Sequence, residues 1–483
     1  MVGHPASEVS TSSHPCSEVV NDTPDVLSHG MGPPVASRGR IVPLTKGHSM
    51  RISVIGTGYL GAVHAAGMAE LGFDVVGVDV DAAKIEALAS GRMPFYEPDF
   101  EALLTKHVGN GLRFTTDMAE ISDADVHFIC VGTPQRKNSL AADMSYVDAS
   151  VDAMIPFLKD GSLVVGKSTV PVGTAERLAE RIEVATPESV TVELAWNPEF
   201  LREGFAVQDT LHPDRLVLGV NGDAAEGVLR AVYARAIADD TPVVVTDLPT
   251  AELVKVAANS FLATKISFIN AMAEICDVTG ADVTALADAI GYDERIGRKF
   301  LNAGVGFGGG CLPKDIRAFS ARAAELGAGQ SVAFLNEMDA INLRRREHVV
   351  NLVREHLGTL PGKRVAVLGA AFKPNSDDVR DSPALSIAGQ LHLAGARVSV
   401  FDPKAMDNAA QVFPTLEYAD SATGAIQGAE AVLHLTEWPE FRELDPAAIG
   451  DQVANKLVID GRNLLDRDAY RSAGWTYVGL GRP

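Results

Sequence analysis

Arg51-Ile52-Ser53-Val54-Ile55-Gly56-Thr57-Gly58-Tyr59-Leu60-Gly61 is the stretch that decides the fold. A short β-branched run reads as a buried strand, and the glycines that follow read as a turn into a helix. Asp79 closes the next apolar run, 23 residues after Gly56. This spacing is that of a dinucleotide-binding βαβ unit: Gly56 makes the turn, Gly58 admits a pyrophosphate and Gly61 lets helix and strand pack closely. A carboxylate at position 79 accepts bonds from a ribose 2′-hydroxyl and repels a 2′-phosphate, which favours NAD over NADP.

Outward from this unit, strands and helices alternate, the pattern of a parallel sheet covered on both faces. Strand candidates are Arg51–Ile55, Val75–Val78, Val126–Val131, Leu163–Lys167 and Val192–Trp196. A mostly helical stretch follows from about Pro249 to Arg346. Further candidates are then Arg364–Leu368, Arg397–Phe401, Ala431–Leu435 and Lys456–Ile459. The second set echoes the first in order, with Gly369 in place of Gly56 and Asp402 in place of Asp79, as in a diverged duplication. The expected fold is α/β: two Rossmann-like, doubly wound parallel-sheet domains joined by a central helical region. The expected division is 1–49, a disordered extension; 50–248, the dinucleotide-binding domain; 249–346, the helical part; and 347–483, the second sheet. Residues 1–49 are rich in Ser, Pro, Gly and His without apolar period, a composition that cannot offset ordering entropy. Met50, just ahead of the first strand, reads as an alternative start.

The net charge of −21 argues against a nucleic-acid partner or an anionic membrane surface. No apolar run reaches spanning length, and the N-terminus lacks the layout of a secretory signal. The four cysteines, Cys16, Cys130, Cys276 and Cys311, have neither disulfide nor metal spacing. No metal is expected, and a reducing cytoplasm fits this usage.

Five glycines crowd the seven positions Gly304–Gly310 ahead of Cys311, and Pro313 then suits the first turn of a helix. A helix N-terminus stabilises a thiolate, and residues without Cβ atoms let a ligand approach the backbone. Cys311 is therefore either an activated nucleophile or a small core residue beside a turn. The Ala251–Val278 segment is apolar nearly all round, as a buried helix would be, and Lys255 and Asn259 interrupt it on one face. A lysine buried there tends to lose its proton; a charged group aimed into a site and a snorkelling side chain both remain open. Glu199 and Glu203 lie beyond a strand end, where α/β sheets place ligands, as either a general base pair or a solvated pair. The second half lacks the glycine spacing after Gly369 and carries Lys373 and Arg380 instead, either a different phosphate site or plain packing.

Taken together, Gly56–Gly61, Val131–Pro134, Lys167–Ala175, Asn197–Gly204, the Lys255/Asn259 helix, Phe300–Asp315 and Ala371–Pro383 resemble the UDP-glucose 6-dehydrogenase family. The resemblance runs from Met50 to about Gly461. It implies an NAD domain, a helical dimerisation region and a UDP-binding domain. It also implies a four-electron oxidation of a sugar C6 alcohol to a carboxylate, with two NAD per turnover. By its pattern Cys311 attacks a C6 aldehyde and carries a thiohemiacetal and then a thioester, while Lys255 and Asn259 stabilise the oxyanion. Asp315 assists proton transfer, Glu199 activates the hydrolytic water and Thr133 supports the proton network. NAD would be contacted by Gly56, Gly58, Tyr59, Leu60, Gly61, Asp79, Lys84, Thr133, Glu203, Lys314 and Arg380. The UDP-sugar would be held by Glu199, Phe200, Leu201, Arg202, Lys255 and Asn259. The stretch Phe300, Leu301, Asn302, Ala303 and Gly304 would join them, with Gly308 and Lys373. Arg295 would reach the substrate of a neighbouring subunit, which makes a homodimer or larger homo-oligomer part of the mechanism. Relatives acting on GDP-mannose or UDP-N-acetylmannosamine share this chemistry. A two-electron hydroxyacid dehydrogenase and a non-catalytic nucleotide-sugar sensor are the rival readings.

Overall fold

The structure, a computed structural model, describes residues 50–483, so the extension expected over 1–49, with Cys16, lies outside the described residues. The first sheet is built from β1 (Arg51–Ile55), β2 (Asp74–Val78), β3 (Leu112–Thr115), β4 (Val126–Ile129), β5 (Ser162–Gly166), β6 (Val192–Trp196), β7 (Leu216–Gly219) and β8 (Val243–Thr246). Their order is β3-β2-β1-β4-β5-β6-β7-β8, parallel except at the β6–β7 junction. β1 is buried along almost its whole length and alternates its side chains between the two faces. Ile52 and Val54 pack with the Tyr59–Glu70 helix, whereas Ile55 joins Val78, Ile129 and Trp196 on the other side.

The second sheet comprises β9 (Arg364–Leu368), β10 (Arg397–Phe401), β11 (Glu417–Tyr418), β12 (Ala431–His434), β13 (Leu457–Asp460) and β14 (Thr476–Gly479). Its order, β11-β10-β9-β12-β13-β14, reproduces the first six positions of the first sheet, and all its pairings are parallel. The two sheets are thus one topology used twice. In each, the chain reverses direction of winding between the first and fourth strands, where crevices open.

Between them runs a 32-residue helix, Leu248–Thr279. Asp247 caps it by accepting the Thr250 N–H at 2.7 Å, and Gly280, at φ +76°, ends it. This helix is not buried all round as its composition suggests. Phe261, Phe268 and Ile275 are 65%, 46% and 54% exposed, a stripe repeating every seven residues. A second long helix, Phe334–Leu357, runs unbroken through position 346 into the second sheet's side of the molecule.

Candidate active site

The glycine turn after β1 behaves as its spacing implies. Gly56 sits at φ +87°, and a Cβ on Gly61 would lie 1.8 Å from the Gly56 carbonyl oxygen, so only glycine lets the helix approach. A Cβ on Gly58 would meet nothing within 4 Å, and the helix start has neither a side-chain cap nor an acidic residue in its first turn. Free N–H groups beside open space fit a pyrophosphate. Asp79 follows the last residue of β2; its carboxylate accepts from the Thr57 N–H at 2.7 Å and pairs with Lys84 at 3.1 Å. Burial alone would raise its pKa, but the Asp81 N–H, Lys84 and Thr57 outweigh it and hold the group ionised. Leu60 is half-buried against the core beside the turn. The Tyr59 hydroxyl is engaged inside the protein: it donates to Glu97, which also accepts the Gly204 and Ala206 N–H groups at 2.6 and 2.7 Å. Tyr59 therefore ties the cofactor helix to the 200–206 loop.

The second sheet has closed its corresponding crevice. Asp402 is buried, and its carboxylate accepts the Ala370 and Ala371 N–H groups at 2.8 and 2.9 Å and the Trp438 indole N–H at 3.0 Å. No ribose can reach it. The loop after β9 instead projects towards the first domain: Lys373 donates to the Glu203 carbonyl at 2.7 Å, and Asp377 accepts the Tyr96 N–H at 3.1 Å.

Where these parts meet lies a cleft of about 560 Å³. Lys255 and Asn259 from the long helix, Cys311 with its glycine loop, and Lys373 from the second sheet all line it. Of the other substrate candidates, Leu201, Arg202, Phe300, Asn302, Gly304 and Gly308 line it too, as does Glu203. Leu301 and Ala303 point the other way, into an apolar cluster under the long helix, so they anchor the loop rather than face the cleft. Phe200 is not a wall of the cleft either; its ring lies beneath it, 3.8 Å from the Arg215 guanidinium and 5.6 Å from Lys255 Nζ. Arg295 is largely exposed and paired with Asp293, outside this cleft. Arg380 is held by Asp378 at 2.7 Å and Glu203 at 3.4 Å, beside Gly310.

Cys311 caps the Leu312–Glu325 helix, with Pro313 in its first turn. Its glycines are needed chiefly for packing against the second sheet's loops. A Cβ on Gly308 would lie 2.4 Å from the Asp381 carbonyl, one on Gly309 2.8 Å from the Phe372 ring, and one on Gly310 2.3 Å from the Arg380 guanidinium. Side chains behind the loop fix it: Asn342 exchanges bonds with both backbone groups of Phe307 at 2.7 and 3.0 Å, and Asn270 accepts the Gly304 N–H at 2.8 Å.

The thiol departs from the sequence expectation. Although Cys311 faces the open cleft, protein closes round its sulfur, and burial pushes its pKa up to about 12. Glu199 and Asp315 add to the rise and Lys255 opposes it. The helix N-terminus does not prevail, because a thiolate here would sit in low dielectric beside two carboxylates. Iodoacetamide labelling of Cys311 in the ligand-free protein is therefore expected to be slow at neutral pH. Its rate should climb about tenfold per pH unit past pH 9; levelling off below pH 8, read by peptide mass spectrometry, would contradict this.

Lys255 also differs from expectation. Burial pulls its pKa down, but Glu199, Cys311 and Asp315 outweigh it, so the ammonium is retained. Its Nζ lies 3.0 Å from Glu199 Oε1. A second chain of contacts runs through Asp315, which accepts from Asn259 Nδ2 and Lys314 Nζ, both at 2.6 Å; Lys314 is 3.4 Å from the Thr133 hydroxyl. Thr133 in turn donates to the Thr169 carbonyl at 2.8 Å. Burial, with Asp378 nearby, raises Glu203 to about 7.

Sequence reasoning passed over Lys299, Phe372, Glu437 and Arg462, all on the cleft wall. Arg462 lies two residues beyond the end of β13, where such sheets present ligand-binding groups. Its guanidinium donates to the carbonyls of Leu435, Gly306 and Phe372 at 2.7, 3.2 and 3.3 Å. With Arg202, Lys255, Lys299 and Lys373 it gives the cleft five cations against Glu203 and Glu437. In a chain of net charge −21 this is a local concentration of positive charge, although Arg462 pairs with Glu437 at 3.1 Å and Lys255 with Glu199 at 3.0 Å.

Residues 50–237, 249–344 and 366–467 match, in turn, the NAD binding, central and UDP binding domains of the UDP-glucose/GDP-mannose dehydrogenase family. The chain belongs to that family. It is 42% identical over 439 residues to a UDP-glucose 6-dehydrogenase of Rhizobium meliloti, covering 90% of this chain and all of the relative. A solved UDP-glucose dehydrogenase from Pyrobaculum islandicum superposes with a TM-score of 0.83 at 39% identity, covering 91% of this chain and 99% of that one. A UDP-D-ManNAc dehydrogenase from Pyrococcus horikoshii gives 0.79 at 28% identity, over 90% and 99%. Membership fits the closed second crevice: residues 366–467 match a UDP binding domain, whereas residues 50–237, which include the open glycine turn, match an NAD binding domain.

Proposed function

We propose that this dehydrogenase oxidises UDP-glucose at C6 to UDP-glucuronate, using two NAD per sugar and a covalent intermediate on Cys311. The observation that carries the reading is the convergence of Cys311, Lys255 and Asn259 on one cleft whose upper wall holds Lys373 and Arg462. When bound, NAD accepts the hydrides. After the first transfer the Cys311 sulfur adds to the C6 aldehyde and gives up its proton to the Asp315 network, forming a thiohemiacetal. Lys255, kept charged, and Asn259 stabilise the developing oxyanion. Loss of a second hydride leaves a thioester; water adds to its carbonyl carbon, the C–S bond breaks, the sulfur regains a proton and the carboxylate is released. Glu199 takes the proton of that water. Glu203, Asp79 and Lys84 hold the cofactor side.

The fold does not choose the sugar, since a UDP-D-ManNAc dehydrogenase shares it; the same chemistry on GDP-mannose or UDP-N-acetylmannosamine is the second reading. The higher identity to UDP-glucose enzymes favours UDP-glucose. Comparison of kcat/KM for the three sugars is expected to favour UDP-glucose by about 100-fold or more, in the range that a polar site achieves. A larger value for either rival would replace the substrate.

A homodimer through the central helical part is included in the proposal. The Phe261, Phe268 and Ile275 stripe is apolar and uncovered in one chain, and a second copy of the helix can cover it. Arg295 of one subunit would then serve the other's site. Phe268→Asp is expected to yield monomers in sedimentation; an unchanged dimer would refute this interface. We place the enzyme in the cytoplasm, a reading supported by free Cys130, Cys276 and Cys311. Among the described residues no helix is long and apolar enough to cross a membrane.

A further inference from the structure

We propose that the water which ends the reaction reaches Glu199 through a separate polar hollow behind it, not through the nucleotide-sugar cleft. This rests on the thioester reading above. Glu199 lines a hollow of about 40 Å³ and is not part of the cleft wall; Lys255, its ion-pair partner at 3.0 Å, lines the cleft and not the hollow. Glu199 thus stands between the two spaces together with Leu201, which lines both and donates its N–H to Glu199 Oε2 at 2.7 Å.

The hollow is built for water. At its inner end Lys167 Nζ, buried, is bonded only to neutral oxygens: Asn197 Oδ1 at 3.0 Å, the Tyr233 hydroxyl at 3.4 Å and the Asn197 carbonyl at 3.5 Å. Among the described residues no carboxylate lies within ion-pair distance of it. His64 lines the same hollow, is buried, and its Nε2 has no hydrogen-bond partner in the protein. A buried polar atom left in this way is the mark of an ordered water. The volume suits roughly two or three waters, and the walls offer each of them several partners. At its outer end the hollow is bordered by exposed Asp214 and half-exposed Arg215, which gives it an approach to the surface.

The chemistry needs such a supply. With sugar nucleotide and cofactor in the cleft, bulk water is displaced from that side, yet the thioester must consume one water per turnover. In this step the water oxygen bonds to the thioester carbonyl carbon, one of its protons passes to Glu199, and the C–S bond breaks with its electron pair on sulfur, which is reprotonated.

Two substitutions test the route from opposite directions. Lys167→Met removes the cationic head from the hollow; Leu216→Phe fills the hollow while leaving Lys167 in place, with Leu216→Met as a milder filling should the phenylalanine disturb folding. Each is mixed with UDP-glucose and NAD and followed by NADH absorbance and by intact-protein mass. In both, the initial NADH burst is expected to survive, the later phase to slow by roughly tenfold or more, and a sugar-nucleotide adduct on Cys311 to accumulate. Absence of adduct in both variants overturns the route. Adduct in Lys167→Met alone also overturns it, because the effect would then be one of charge on Glu199. Failure of the unsubstituted enzyme to form any uronate would instead remove the thioester reading, and this inference with it.

Discussion

Cys311→Ala is expected to abolish UDP-glucuronate formation, with a loss of roughly 10³-fold or more in turnover to the acid. Among the described residues no other thiol can substitute: Cys130 and Cys276 are buried in core clusters of the first sheet and the long helix. The substitution removes a side chain that faces the cleft without disturbing the glycine loop, whose backbone is held by Asn270 and Asn342. Binding of NAD and UDP-glucose should therefore be nearly unchanged in calorimetry. A variant that still delivers the carboxylate at the native rate would exclude Cys311 as the carrier.

The second large effect is expected at Lys255. Lys255→Met takes the ammonium away from Glu199, 3.0 Å distant, and from the neighbourhood of Cys311 and Asp315. Turnover should fall by about 10²–10³-fold, the usual consequence of losing a principal oxyanion donor. Stability should fall as well, by about 3–5 kcal/mol, where the buried carboxylate is left charged with only the Leu201 N–H at 2.7 Å to hold it. The pH dependence has a definite sign. In the native enzyme the raised Lys255 pKa means that its contribution is complete at neutral pH and is lost only as pH climbs through the alkaline range. The gap in Tm between native and variant is thus expected to be full at neutral pH and to narrow as pH climbs through the alkaline range. A gap that stays constant there would show that the Lys255 charge contributes little.

Much of the fold was legible because its central strands are continuous apolar runs closed by glycine or aspartate. β1, β6, β9 and β10 occupy the expected residues. β3, β7, β8, β11 and β14 escaped notice because each has four residues or fewer, too short for alternation or an apolar run to mark it. The duplicated topology was visible in the order of the motifs, but the closure of the second crevice was not. It depends on Asp402 being reached by Trp438, a residue far along the chain, and spacing alone does not reveal that. The same holds at the site. The glycines before Cys311 signalled close approach, yet what approaches Gly308, Gly309 and Gly310 is the second sheet's Asp381, Phe372 and Arg380. Proximity to a helix start suggested a depressed thiol pKa, but burial, Glu199 from another element and Asp315 in the first turn of the same helix reversed it. Arg462 was missed because a single arginine after a strand carries no pattern; only the fold brings it against Gly306 and Phe372.

The four-electron route requires this one protein to carry the alcohol through to the carboxylate on Cys311. Its most direct test is the number of NADH formed per UDP-glucose consumed by the unsubstituted enzyme, with the product identified in the same sample. Two NADH per sugar together with UDP-glucuronate is the expected result. One NADH per sugar, with the aldehyde as product, would contradict it and leave a simple alcohol dehydrogenase.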